Sequence, residues 1–262
     1  GGWTSGTGSR AAADKLGDSI ANKIAVKGTA NVTGTVYGGF TDVTGGKATA
    51  NEVTIEKNLA ANIVGGKATA EASSNTVNLS NATVNSVTGG DGATTNNNIV
   101  NLNGGANVTG TLKGGSAANG TGNTLNVKGK DNKAGTISNV QNMNFDATGL
   151  AKGDTMLEAT GAAQSDVDWT TLTASGTATK PLTLLKNEQG IRLAHYTGAA
   201  KSETGDEAET NIDVRKSGAR ITAITYEGYR FKGATQATRE GRDTYGGRSK
   251  AGNSTRENEI VL

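Results

Sequence analysis

Apolar and polar residues alternate along much of this chain, and one alternating phrase returns at a nearly constant interval. It reads Asn, any residue, aliphatic, any residue, aliphatic: Asn51-Glu-Val-Thr-Ile55, Asn75-Thr-Val-Asn-Leu79, Asn98-Ile-Val-Asn-Leu102 and Asn123-Thr-Leu-Asn-Val127, with first residues 24, 23 and 25 positions apart. Alternation with period two predicts a strand buried on one face. A fixed period of this size predicts a repeat array, in which each unit buries its apolar face by stacking on its neighbours. The expected fold is therefore all-β, a right-handed parallel β-helix (β-solenoid) with rungs of about 24 residues; the hand follows from the preference of parallel crossovers. Val53, Ile55, Val77, Leu79, Val100, Leu102, Leu125 and Val127 should form one continuous inward column.

Other features follow the same beat. Gly65-Gly66, Gly89-Gly90 and Gly114-Gly115 precede the last three phrases at similar distances, which predicts corners where φ is positive. Asn22-Lys-Ile-Ala-Val26 is an earlier copy, with residues 9–16 as a lateral excursion. Ala30–Val36 and Ala106–Leu112 are near-identical second strands, and Ile137–Phe145 closes the first region with bulkier residues. The expected organisation is a regular array over 1–145 and a different stretch over 146–233. That stretch has candidate strands at Thr155–Thr160, Asp168–Ala174, Leu182–Lys186, Ile191–Tyr196, Ile212–Lys216 and Arg220–Lys232. Either the solenoid continues there with wider rungs or a small β subdomain interrupts it; continuation is preferred. Over 234–262, Tyr245-Gly-Gly247 and Asn258-Glu-Ile-Val-Leu262 read as the start of a further rung. The single proline, Pro181, opens a candidate strand, the position where a missing donor is tolerated.

Composition changes the picture in two ways. Only 34% of residues are hydrophobic and 4% aromatic, with 39 glycines, a balance that would suit a disordered chain. The apolar positions nevertheless stay in register, which disorder gives no reason to maintain. The absence of cysteine excludes disulfide staples and thiolate metal sites. No apolar run is long enough for a membrane helix, and no series of alternating strands with aromatic girdles suggests a membrane barrel. Net charge is +2, but ten Lys/Arg against three acids fall in 215–256, just after the acidic residues Glu203, Asp206, Glu207, Glu209 and Asp213.

Chemistry-bearing patterns are sparse. His195 is the only histidine; it has no nucleophile elbow or second ligand near it and reads as a surface residue. Gly-Gly-Lys-Ala-Thr at 45–49 and 65–69 lacks the upstream glycine of a phosphate loop and reads as a recurring corner. Gly89-Gly-Asp-Gly92 resembles a calcium nonapeptide but occurs once, and the acidic cluster 203–213 is a solvated loop or a calcium site. Arg220, Tyr229, Arg230, Lys232, Arg239 and Arg242 are candidates for polyanion or glycan contact, although the same spacing produces ordinary cross-strand pairs. Asn51, Asn75, Asn98 and Asn123 should form a structural ladder of stacked amides, in which Asn75→Asp costs ~1–2 kcal/mol. No cofactor, catalytic residue or metal site is expected.

Tyr37-Gly-Gly, the two Gly-Gly-Lys-Ala-Thr segments, Asn75–Leu79, Ile137–Phe145 and Leu150–Leu157 followed by Leu182–Lys186 resemble the β-helical passenger regions of Gram-negative autotransporter adhesins. The resemblance implies surface display and adhesion through a cell-surface receptor or glycan. It places the chain outside the cell, held at the outer membrane through parts not in this chain. A regular array offers surface more readily than a pocket, so a non-enzymatic role is expected and nucleic acid is not an expected partner. The other class kept open is a structural filament subunit stacking head to tail. The chain begins and ends in mid-array, which predicts that its last rung is covered by a longer parent chain or by a neighbouring copy.

Overall fold

The computed structural model describes residues 2–4, 17–161, 171–179, 181–192, 200–202, 208–209, 212–217, 220–226, 230–231, 238–240 and 243–245. Side-chain packing is described for 17–161, 171–179, 181–187 and 223–226. The chain is an all-β solenoid of about six turns with rungs of about 25 residues, and no helix occurs among the described residues.

The repeated phrase supplies one face. Lys23–Val26, Glu52–Ile55, Thr76–Ser80, Ile99–Asn103, Thr124–Lys128, Asn142–Asp146, Thr171–Ser175 and Ala200–Ser202 form an eight-stranded parallel sheet in chain order. Its register stacks Val53, Val77, Val100 and Leu125 in one column and Ile55, Leu79, Leu102 and Val127 in the next. All eight are at most 1% exposed. Because side chains alternate across a strand, placing one aliphatic inside places its phrase-mate inside too. The stack continues past Phe145: Asn142–Asp146 pairs with Thr124–Lys128 on one side and Thr171–Ser175 on the other. Phe145 lies in register between Val127 and Ala174, a large side chain beside a small one, so its bulk does not end the array.

The opposite face is an eleven-stranded sheet, running from Gly2–Thr4 through Gly34–Thr41, Ala61–Lys67, Ser86–Asp91, Asn107–Lys113, Asn132–Ser138 and Thr155–Ala159 to Leu182–Arg192. The short strand Thr83–Val84 joins it through Asn107–Lys113. A narrow third side is made by Ser19–Ile20 paired with Ala48–Thr49 and by the bridges Lys47↔Glu71 and Glu71↔Thr94. Solenoid pairing thus runs through 146–192. The strands there include Thr155–Ala159 and Thr171–Ser175, while Leu182–Arg192 starts one residue after Pro181. Beyond it the eleven-stranded sheet changes pattern, since Leu182–Arg192 pairs antiparallel with Arg220–Tyr226, which pairs antiparallel with Ile212–Ser217, while Ala200–Ser202 still pairs parallel with Thr171–Ser175. Antiparallel neighbours need only a short turn between them, whereas each parallel step needs a full crossover. Thr238–Glu240 and Asp243–Tyr245 form a separate antiparallel pair. Ile191–Arg192 belongs to the longer strand; His195, Asn258–Leu262 and Gly246-Gly247 lie outside the described residues.

The glycine pairs differ from the corner reading. Gly38-Gly39, Gly65-Gly66, Gly89-Gly90 and Gly114-Gly115 are buried, and none of them has positive φ. They are required by space. A Cβ on Gly38, Gly65, Gly89 or Gly114 would lie 2.3 Å from a carbonyl oxygen of the following rung. A Cβ on Gly39, Gly66 or Gly90 would fall within 2.7 Å of the amide of Asn51, Asn75 or Asn98. The pairs share the asparagine period because they make room for the asparagines. Positive φ occurs instead at the residue before each asparagine: Ala21 (54°), Ala50 (56°), Ser74 (56°), Asn97 (54°) and Gly122 (67°). The two Gly-Gly-Lys-Ala-Thr copies are also not equivalent. Gly66 registers with Gly39, whereas Gly45 and Gly46 lie in the turn before Lys47. Their separation of 20 residues falls short of the 24 that link Asn51 to Asn75, so they do not stack.

Candidate functional site

Three strands of the eight-stranded sheet, Thr76–Ser80, Ile99–Asn103 and Thr124–Lys128, carry asparagines of two kinds, one at the inner corner just before the strand and one on its outer surface. The inner set is Asn51, Asn75, Asn98 and Asn123, all at most 1% exposed. In the first three, the backbone N and Nδ2 both donate to Oδ1 of the next rung: Asn51 to Asn75 at 3.0 and 3.0 Å, Asn75 to Asn98 at 3.0 and 3.1 Å, Asn98 to Asn123 at 3.1 and 3.1 Å. The second Nδ2 proton goes to a main-chain carbonyl, as from Asn75 to Ala48 at 3.0 Å. Asn22 adds a rung at one end, donating to Asn51 Oδ1, and Gln141 Oε1 accepts from Asn123 N at the other. This inner ladder is wholly internal and presents nothing to a ligand.

The outer set faces solvent. Asn78, Asn101, Asn126 and Asn144 stack in register, with Thr54 before them and Thr173 after. Nδ2 of Asn101 donates to Asn78 Oδ1 at 2.7 Å, Asn126 to Asn101 at 2.7 Å and Asn144 to Asn126 at 2.8 Å. Thr173 Oγ1 donates to Asn144 Oδ1 at 2.7 Å. Two residues earlier on the same strands stand Thr76, Ile99, Thr124, Asn142 and Thr171. Thr171 Oγ1 donates to Asn142 Oδ1 at 2.7 Å, and Asn142 Nδ2 to Thr124 Oγ1 at 3.3 Å. Over the five rungs from Thr76 to Ser175 these two columns contain no charged and no aromatic residue, and every member is half-buried. Asn101, Asn126 and Asn144 each spend one Nδ2 proton on these bonds and keep part of the oxygen's accepting capacity for an external partner, whereas Asn78 Nδ2 donates to Glu52 Oε1 at 3.1 Å and to Thr54 Oγ1 at 3.2 Å.

Charge is confined to the borders of this lattice and to the other sides. Lys23–Glu52 (3.0 Å) and Lys27–Glu56 (2.8 Å) lie before it, and Lys128–Asp146 (3.3 Å) lies along one margin. Elsewhere Lys47 pairs with Glu71, Lys67 with Asp91, Lys130 with Asp154 and Lys133 with Glu158. In all of these described pairs the lysine stands on the earlier rung and the acid on the later one. Pairs this exposed contribute little stability; their common direction favours correct register over slipped alternatives. Glu71 and Asp91 raise the pKa values of Lys47 and Lys67 by accepting hydrogen bonds from them. Two hydrogen bonds from Thr148 hold the Asp146 carboxyl below its ordinary range, with Lys128 assisting.

The basic tract is spread over three sheets. Arg220 is in the eleven-stranded sheet, Arg230 is in Arg230–Phe231 paired with Ala208–Glu209, and Arg239 is in Thr238–Glu240. The register sets Glu209 opposite Arg230, so acidic and basic tracts meet across one strand pair. Tyr229, Lys232, Arg242, Glu203, Asp206 and Glu207 lie outside the described residues. Among the described residues, no three His, Cys, Asp or Glu side chains gather into a metal-binding group. The outer lattice had a sequence signal: Asn is also the fourth residue of three of the phrases, 75–79, 98–102 and 123–127. That position reads as ordinary polar alternation until register aligns it.

No family model, curated protein or solved structure matches this chain.

Proposed function

We propose that this chain is an extracellular bacterial surface β-solenoid that adheres to host or neighbouring cells as part of an autotransporter-type passenger. The observation that carries the reading is the outer lattice of Thr and Asn, in register over five rungs with Ile99 as its one apolar member. Each rung offers a few donors and acceptors of similar kind, so contact is weak per rung and strengthened by multiplicity. The motifs that resemble adhesin passengers point the same way. On this reading the role is non-enzymatic, the partner is a surface receptor or glycan, and the chain sits outside the cell, tethered at the outer membrane through other parts. Beads coated densely with the chain should attach to host or bacterial cells, and the double variant Asn101→Lys/Asn126→Lys should abolish attachment. Equal attachment by a correctly folded double variant would remove the lattice from the adhesive mechanism.

The alternative is a filament subunit stacking head to tail. The common direction of the lysine–acid pairs and of the inner asparagine ladder supports it, because at those positions a rung presents donors forward and acceptors backward. Electron microscopy of the purified chain at high concentration tests this directly: filaments support it, and dispersed single particles refute it.

A further inference from the structure

We propose that the outer Thr/Asn lattice binds ice, taking as its ligand an ordered plane of water molecules. The inference uses the same face as the adhesive reading but not its partner, and it stands or falls separately.

Four observations lead to a solid, neutral, periodic ligand. First, the lattice has two fixed repeats. Rungs follow at ~4.8 Å and alternate residues along a strand at ~6.6 Å. The register shows no shift from Thr76–Ser80 through Thr171–Ser175, whereas the opposite sheet is interrupted between Val108 and Thr111. Second, the two columns are uncharged in a chain with 19% charged residues, which removes the means of holding a polyanion. Third, they carry no aromatic ring, the usual platform for a sugar face or a base. Fourth, the side chains are already tied to one another. The amides of Asn78, Asn101, Asn126 and Asn144 are joined at 2.7–2.8 Å, so little rotamer freedom remains to be lost on binding.

A soluble ligand has no need of so long a rigid lattice, but a crystal plane does. On the prism plane of hexagonal ice, oxygen rows repeat at one distance close to the rung spacing and at another somewhat longer than the spacing of alternate residues along a strand. Water held by the amides of Asn101, Asn126 and Asn144 and by the threonine hydroxyls therefore lies in rows that can merge with that plane. Ile99 and the threonines of the same column add apolar surface beside the amides, which leaves that water bonded mainly to other water. Bridging water of this kind is nearly equivalent to a direct hydrogen bond. Once attached, the molecule obstructs growth, and ice advances only between bound copies.

The test uses the full chain and ice itself. Nanolitre osmometry should show a gap between melting and freezing points with faceted crystals, and fluorescently labelled chain should coat a single ice crystal on defined planes. Asn101→Lys and, separately, Thr124→Lys should abolish both effects while leaving the β-sheet circular dichroism unchanged. Thr109→Lys, on the other sheet, should retain them. Absence of hysteresis and of crystal coating for the unmodified chain overturns the inference whatever the variants do. Retention of both by the folded Asn101→Lys and Thr124→Lys variants overturns the assignment to this face. Bead adhesion to cells without any ice activity would sink this inference and leave the adhesive reading intact.

Discussion

Asn75→Asp exchanges one nitrogen for oxygen at the middle of the inner ladder, at a residue with no solvent exposure. The amide nitrogen it removes donates to Asn98 Oδ1 at 3.1 Å and to the Ala48 carbonyl at 3.0 Å. Both partners are acceptors, so a carboxylate there would face two oxygens. On the other side, Oδ1 still accepts from Asn51 N and Nδ2. A protonated carboxyl has one proton for two acceptors and loses about one hydrogen bond, ~1 kcal/mol. Burial beside two oxygens also raises the folded-state pKa above the ~3.9 of an unfolded aspartate. Between those two values the folded state binds more protons than the unfolded one, so stability falls as pH rises, by ~1.4 kcal/mol per pH unit. At pH 7 the sum reaches ~5 kcal/mol if the carboxyl stays protonated in the fold, and less where its folded pKa lies below 7. That is larger than the ~1–2 kcal/mol expected from the phrase alone, because the sequence does not show how completely this corner is sealed. Urea midpoints of the wild type, Asn75→Asp and Asn78→Asp should be compared at pH 3, 5 and 7. The Asn75→Asp deficit should be small at pH 3 and grow toward neutrality, while half-buried Asn78→Asp should show a weaker trend. A deficit at Asn75 that is absent, or independent of pH, would refute the sealed-ladder account.

Three further outcomes are expected. Gly65→Ala places a Cβ 2.3 Å from the Gly89 carbonyl oxygen and should cost at least ~1–3 kcal/mol; a melting temperature within error of the wild type would show that rungs separate easily there. Ala50→Gly relieves a left-handed residue at φ 56° and should stabilise by ~1 kcal/mol; loss of stability would mean that the Ala50 methyl packs in a way its exposed position does not suggest. Asp146 should titrate below an ordinary aspartate because Thr148 Oγ1 (2.6 Å) and N (3.1 Å) donate to it. Its contribution is therefore complete above the unfolded pKa and lost as pH falls through the lower folded value. An NMR titration placing Asp146 at or above ~3.9 would contradict the hydrogen bonding.

The alternating phrases by themselves determined the strands, their inward residues and the stacking of Asn51, Asn75, Asn98 and Asn123. Alternation is a property of neighbouring residues, and a constant period leaves one way to superpose them. What the tertiary structure decided are contacts between rungs that no single rung reveals. The glycine pairs read as corners because glycine commonly serves positive φ; that they instead clear space for buried amides appears only when the next rung is in place. The two Gly-Gly-Lys-Ala-Thr copies look equivalent as strings and occupy different positions because register follows the sheet, not local identity. Asn78, Asn101 and Asn126 looked like polar fillers until alignment at the strand spacing joined them into an external lattice. The antiparallel pairing of Arg220–Tyr226 onto Leu182–Arg192 was likewise not legible, since a strand's own pattern specifies which face is buried but not the direction of its neighbour.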